Sequence, residues 1–156
     1  MDVDAREATL DDAEAIQAVA TQIADELRPL RGGHMLLARQ PVGTTESAEL
    51  RPNAPARVIV GTIDDVVVGF ATVDIETLND GARLGIIREI CVLPGARGVG
   101  VGEALLGDAL AFCRTRNCQG VDAVALPGAR ETKNFFETFG LTARALVVHT
   151  PLDRAP

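Results

Sequence analysis

Tyrosine and tryptophan are absent from this chain of 156 residues, and its aromatic content rests on five phenylalanines. A core must therefore be built from Val, Ile, Leu and Ala, and no phenol is available as an acid or base. Cysteine is scarce: Cys91, Cys113 and Cys118 make an odd set without the spacing of a disulfide framework. That usage points to a reducing compartment, and a cytoplasmic location is expected. No Cys-x-x-Cys pair occurs, and the two histidines, His34 and His149, are far apart, so no metal site is expected. Positive charge is also short. A net charge of −7 without a basic block makes nucleic acid a poor partner, while an acidic surface suits a cationic amine. No apolar run approaches the ~20 residues of a membrane span, and the first residues lack the apolar core of a signal peptide. Nor is there a repeat, a low-complexity tract or a linker, so one domain over 1–156 is expected.

What is present is concentrated between Ile86 and Leu110. Ile86, Ile87, Ile90 and Val92 predict a strand, stopped by Pro94-Gly95. Leu105, Leu106, Ala109, Leu110 and Cys113 recur at helical spacing and predict a helix. Between them, Arg97-Gly98-Val99-Gly100-Val101-Gly102 sets glycine at alternate positions behind one arginine. Glycine lets backbone approach a ligand, and the first helical N–H groups lack internal partners at the positive end of the helix dipole. Strand, glycine-rich turn and helix start together form a socket for phosphate or diphosphate. A dinucleotide fingerprint would need a third glycine where Glu103 stands, so a nucleotide-binding α/β domain is the weaker reading.

Around this unit, residues 2–8 predict a strand. Thr9 and Asp12 form a capping box, and the following helix sets Leu10, Ala13, Ile16, Ala20, Ile23 and Leu27 on one face. One or two helical turns fall within 31–40, and a proline-bearing loop runs from Pro41 to Ala56. Strands at 57–63 and 66–76 flank Asp64-Asp65 as a hairpin, and Asn79-Asp80-Gly81 turns the chain into the central strand. Asn117 to Gly120 is expected to break the chain before a strand at 121–126. A helix over 129–139 follows with Gly140 as its C′ residue, then a final strand over 141–150.

The series Arg97-x-x-Gly100-x-Gly102 preceded by Val92-Leu93-Pro94 resembles motif A of the GNAT N-acetyltransferase superfamily, and the element order resembles that fold throughout. The resemblance implies an α/β fold of α+β type, a splayed mixed sheet flanked by helices. It implies that Val92, Leu93, Pro94, Arg97, Gly98, Val99, Gly100, Val101 and Gly102 bind acetyl-CoA, with a backbone N–H near Val92 polarising the acyl oxygen. It also places the loop from Pro41 to Ala56 on the acceptor side of the cleft, and roughly 28–56 with the final strand is expected to select the acceptor. A second, weaker likeness covers 129–141, where Phe135, Glu137 and Gly140 match the family pattern. Ala129 replaces its asparagine and Phe136 its tyrosine.

Acetyl transfer from a thioester to an amine requires a neutral amine, a stabilised oxyanion and a thiolate that can leave. Phenylalanine cannot protonate the leaving group. A thiol of pKa ~8.5 leaves as thiolate at pH 7 for only about 2 kcal/mol, so water suffices, with Cys91 and Thr150 as the other candidates. Deprotonating a lysine-like amine of pKa ~10.4 costs about 4–5 kcal/mol, so a base is worth seeking. Glu89 is the first candidate, on the strand face opposite Ile90 and Val92; an ion pair with Arg88 is the competing account. Asp74 and Glu76 are alternatives that also read as solvated edge charges. His149 is the second catalytic candidate by virtue of its ordinary pKa, and His34 falls in the acceptor region. The expected function is N-acetyl transfer from acetyl-CoA to a primary amine of a small molecule or peptide by direct attack. The alternative is a catalytically silent acyl-CoA-binding module, and an exposed final strand would suit a homodimer.

Overall fold

Thr9 ends the first strand and opens the first helix through the expected capping box, its N–H donating to Asp12 Oδ2 at 2.8 Å. In the computed structural model, which describes residues 1–39 and 56–153, the strand is β1 (Val3–Glu7) and the helix is α1 (Ala13–Leu27), joined by a 3-10 turn. Because Leu10 lies in that turn and outside α1, it is 56% exposed, and Ala13 is exposed too. The buried stripe is Ile16, Val19, Ala20 and Ile23, with Leu27 at its end, a correction to the expected face. A short helix α2 (Gly33–Arg39) follows. The loop expected over Pro41 to Ala56 falls, apart from Ala56, outside the described residues.

Strands β2 (Arg57–Ile63) and β3 (Val66–Thr77) form the expected hairpin. Its turn holds Asp64 and Asp65 at φ 49° and 66°, the left-handed pair that matches strand twist in a two-residue loop. Gly81 at φ 85° turns the chain into β4 (Arg83–Val92), and α3 (Val101–Thr115) follows the proline break. Asn117, at φ 58°, then sends the chain directly into β5 (Cys118–Ala123). That strand begins three residues before the expected 121 and ends before Val124, which is exposed. Parallel pairing with β4 overrides the weak strand propensity of Gln119-Gly120. Helix α4 (Arg130–Thr138) ends at Gly140, φ 90°, with Leu141 N–H donating to Phe136 O at 2.9 Å.

The sheet runs β1-β2-β3-β4-β5, antiparallel except for the β4–β5 pair, so it is mixed as expected. Strand alternation divides the core in two. Val58, Val60, Phe70 and Cys91 face α1, while Ile59, Ala71, Val73 and Ile87 face α3. The expected final strand is not formed. Residues 142–150 are exposed and in no strand, and Leu146, Val147 and Val148 are 87%, 91% and 90% exposed. An apolar, β-branched run makes a strand only when it pairs with an edge, and this segment does not join one.

Candidate active site

Two local irregularities shape the centre of the sheet. The β3–β4 register slips between Thr72 and Val73: Thr72 faces Glu89, Val73 faces Ile87, and Arg88 is the extra residue. Such a bulge reverses the alternation. Ile87 points to α3, and two residues later Glu89 points with Cys91 to the α1 face instead. Glu89 Oε1 lies 3.5 Å from the hydroxyl of buried Thr72. The expected opposition of Glu89 to Ile90 and Val92 therefore holds, since those two pack on the α3-side core. Arg88 pairs with Asp74 at 2.7 Å, which engages one alternative base.

The second irregularity is where β5 stops. Pairing between β4 and β5 runs from Arg83↔Cys118 to Ile87↔Ala123, yet β4 continues to Val92. β5 ends there, so among the described residues the β4 edge at 88–92 has no strand partner on that side. Leu93 N–H donates to Val68 O of β3 at 2.9 Å. Successive residues in a strand turn their polar groups to opposite edges, so those of Val92 face away from β3.

At the end of β4, Pro94–Ala96 makes a single 3-10 turn, and Gly98 and Gly100 adopt φ 83° and 100°. A side chain at either would meet nothing within 4 Å, so these glycines are required by backbone conformation and not by packing. The first hydrogen bond of α3 runs from Ala104 N to Gly100 O at 3.0 Å, so the N–H groups of Val101, Gly102 and Glu103 precede the ladder.

Helix α3 is seated at this height by Gly61 and Gly69, which face each other across β2 and β3. A Cβ on Gly61 would lie 2.6 Å from Val101 Cγ1, and one on Gly69 would lie 2.6 Å from Cys91 O and 3.4 Å from Leu105 Cδ1. Gly102 meets the Phe135 ring, which a Cβ would approach to 3.2 Å, so α4 closes over the start of α3. Gly61 was legible as an isolated glycine in an apolar strand, the usual sign of close approach.

Arg97 is engaged within the protein. Its Nε donates to Val92 O at 3.0 Å, and its terminal nitrogens donate to both oxygens of Glu26 on α1 at 2.8 Å each. Glu131 stands 3.9 Å away. These hydrogen bonds hold the Glu26 carboxyl below its usual range and raise the guanidinium further. Nothing in the sequence pairs positions 26 and 97.

Burial, reinforced by the Glu89 charge, pushes the Cys91 thiol far above its ordinary value, so it is neither nucleophile nor useful acid. Phe136 is 7% exposed. His34 is exposed on α2, and His149 is exposed on the segment after α4. Among the described residues no group of three or more His, Cys, Asp or Glu is placed to hold a metal, and no helix is long and apolar enough to cross a membrane. A groove of ≈ 290 Å³ between α1 and α2 is lined by Gln17, Thr21, Asp25, Arg28 and Leu37 and includes no residue of β4.

The sequence model of the acetyltransferase (GNAT) family matches residues 22–141, well over half of the chain. This chain belongs to the GNAT family. It is an acyltransferase. Solved structures agree on the fold. A tetramutant of the BH1408 protein from Bacillus halodurans superposes with a TM-score of 0.78 at 17% identity, covering 97% of this chain and 100% of that one. The acetyltransferase AAC(6')-Iy, in complex with the bisubstrate analogue CoA-S-monomethyl-acetylneamine, gives 0.71 at 19% identity, covering 99% and 100%. A ribosomal-protein-alanine N-acetyltransferase from Brucella melitensis biovar Abortus 2308 gives 0.67 at 19% identity, covering 96% and 100%. No curated protein sequence matches the chain significantly.

Proposed function

We propose that this GNAT protein is a single-domain cytoplasmic N-acetyltransferase that transfers acetyl from acetyl-CoA to a primary amine by direct attack. The observation that carries this reading is the register itself: β5 ends at Ala123, opposite Ile87, while β4 runs on to Val92 and into the glycine turn. Polar backbone groups facing away from β3 at one end, and free helical N–H groups at the other, suit a molecule with a thioester at one end and a diphosphate at the other. The N–H groups at 98–102 would hold the diphosphate, with Val92, Leu93 and Pro94 along the pantetheine arm. Open space at the Cβ positions of Gly98 and Gly100 supports that fit. Free thiols at Cys91, Cys113 and Cys118 support a reducing compartment.

In this reading the Val92 N–H stabilises the oxyanion as the amine attacks. Glu89 accepts the amine proton through water, held in place by Thr72, and the coenzyme thiolate leaves to be protonated by solvent. With Phe136 in place of a tyrosine, no side chain acid is needed, because an ordinary thiolate is a competent leaving group at neutral pH. The acceptor is an amine-bearing small molecule or peptide that reaches the cleft from the α1–α2 side. Thiol release from acetyl-CoA with a panel of amines tests the reaction, and calorimetry with coenzyme A tests the site. Turnover with an amine together with binding lost in Gly100→Asp is expected. Binding that survives Gly100→Asp would reject the assigned turn, whatever the acceptor.

A further inference from the structure

Two thiols meet at the C-terminal end of α3, away from the glycine turn. The helix stops at Thr115, and Asn117 takes the left-handed conformation at φ 58° while its N–H donates to Arg114 O at 3.1 Å. Such a cap folds the residue after it back against one in the last helical turn. Those two residues are Cys118, the first of β5, and Cys113. Gly85 of β4 leaves the space for the Cys113 sulfur, since a Cβ there would lie 2.4 Å from its Sγ. Cys118 packs at the margin of the same core, within hydrogen-bonding range of the Cys113 thiol. Cys113 is 2% exposed, whereas Cys118 is half-buried and open to solvent on one side.

We propose that Cys113 and Cys118 are a peroxide-sensitive dithiol pair that closes to a disulfide within the chain, tying the end of α3 to the start of β5. Cys118, the thiol that solvent reaches, reacts first. After giving its proton to water, its sulfur takes one oxygen of hydrogen peroxide; the O–O bond breaks, and hydroxide leaves and is protonated to water. The Cys113 sulfur then attacks the sulfenic acid so formed. The S–S bond forms, the S–O bond breaks, and the leaving hydroxide carries off the Cys113 proton as a second water. Each sulfur loses one electron, and the peroxide gains two.

The order of attack follows from the surroundings of each thiol. Burial first, and then the Cys118 charge, push the Cys113 thiol up to about 11, so Cys113 is the resolving partner. Arg83, the register partner of Cys118, donates to Arg116 O and brings positive charge to this end of the sheet. Because the thiols already face each other, closure needs side-chain rotation and no backbone displacement. In a reducing compartment a bridge of this kind is transient and redox-sensing. Cys91 lies on the other face of the sheet and is the internal control. The proposal is independent of the acetyl-transfer reading, since the pair and the glycine turn lie at opposite ends of a 15-residue helix.

The full chain is treated with dilute hydrogen peroxide, denatured in iodoacetamide and digested for mass spectrometry. Untreated chain is expected to carry three alkylated cysteines, and treated chain only Cys91. The peptides bearing Cys113 and Cys118 should then be joined, lighter by two hydrogen atoms, and separated again by dithiothreitol. Cys118→Ser is expected to leave Cys113 alkylatable after the same treatment, and Cys113→Ser to leave Cys118 as a sulfenic acid that dimedone captures. Alkylation of both cysteines in treated wild type, or bridges found only between chains, overturns the proposal. So does a Cys113 that oxidises as readily in Cys118→Ser as in wild type.

Discussion

Arg97 and Glu26 meet in a two-pronged ion pair, 2.8 Å on each side, that ties the turn after β4 to the far end of α1. The same guanidinium caps Val92 O, so one side chain links the end of β4, the glycine turn and α1. A diphosphate bound at the turn as proposed would meet an arginine whose charge is already offset by a carboxylate.

Removing that carboxylate charge while keeping its shape should strengthen coenzyme binding. Glu26→Gln is expected to tighten coenzyme A by about fivefold at low salt, the scale of an exposed ion pair of roughly 1 kcal/mol, with the gain fading as salt rises. Arg97→Ala should weaken binding in the same calorimetric titration. Looser binding in Glu26→Gln would make the pair a support that the coenzyme needs.

Gly61 sets the height of α3. With Val101 Cγ1 only 2.6 Å from where a Cβ would be, Gly61→Ala must push the start of the helix off the sheet. A loss of about 1–3 kcal/mol in urea denaturation is expected, the scale of overpacking, together with weaker coenzyme A binding. Gly95→Ala is the matched control. Its Cβ meets nothing within 4 Å and its φ is ordinary, so stability should hold or rise by about 0.4–1 kcal/mol.

If Glu89 takes the proton, Glu89→Gln should lower kcat on a lysine-like amine by roughly 10²-fold or more, the range of general-base catalysis. The rate rises with pH as the carboxylate loses its proton, and that acid limb should vanish in the variant. Thr72→Val should reduce kcat less and leave the limb in place. A pH–rate profile through the acid range checks both.

Asp12 accepts two hydrogen bonds from Arg6, at 2.8 and 3.0 Å, and one from Thr9 N–H. Arg6, more than desolvation, sets the direction and holds the Asp12 carboxyl below its ordinary value. A depressed acid stabilises the fold above its unfolded pKa of ~3.9, and that stabilisation is lost as pH falls through the folded value. Arg6→Met should cost about 1.5–3 kcal/mol at pH 7, the worth of hydrogen bonds to a charged group. It should also flatten the fall in stability below pH 4, measured by denaturation across pH.

The sequence by itself determined what is local. Proline after Val92, glycines at 98, 100 and 102 and a helical apolar stripe behind them specify strand, turn and helix, because each acts on its own backbone within a few residues. Thr9 with Asp12 and Asp64-Asp65 specify their cap and hairpin for the same reason. The tertiary structure alone decided what depends on distant neighbours. Pairing with β4 started β5 at Cys118 despite its glycine, and 142–150 stays out of the sheet despite its strand-like pattern. The bulge at Arg88 chose the face on which Glu89 stands, and packing of α1 brought Glu26 to Arg97 across 71 residues. Register and ion pairing are relations between segments, and no single segment carries them.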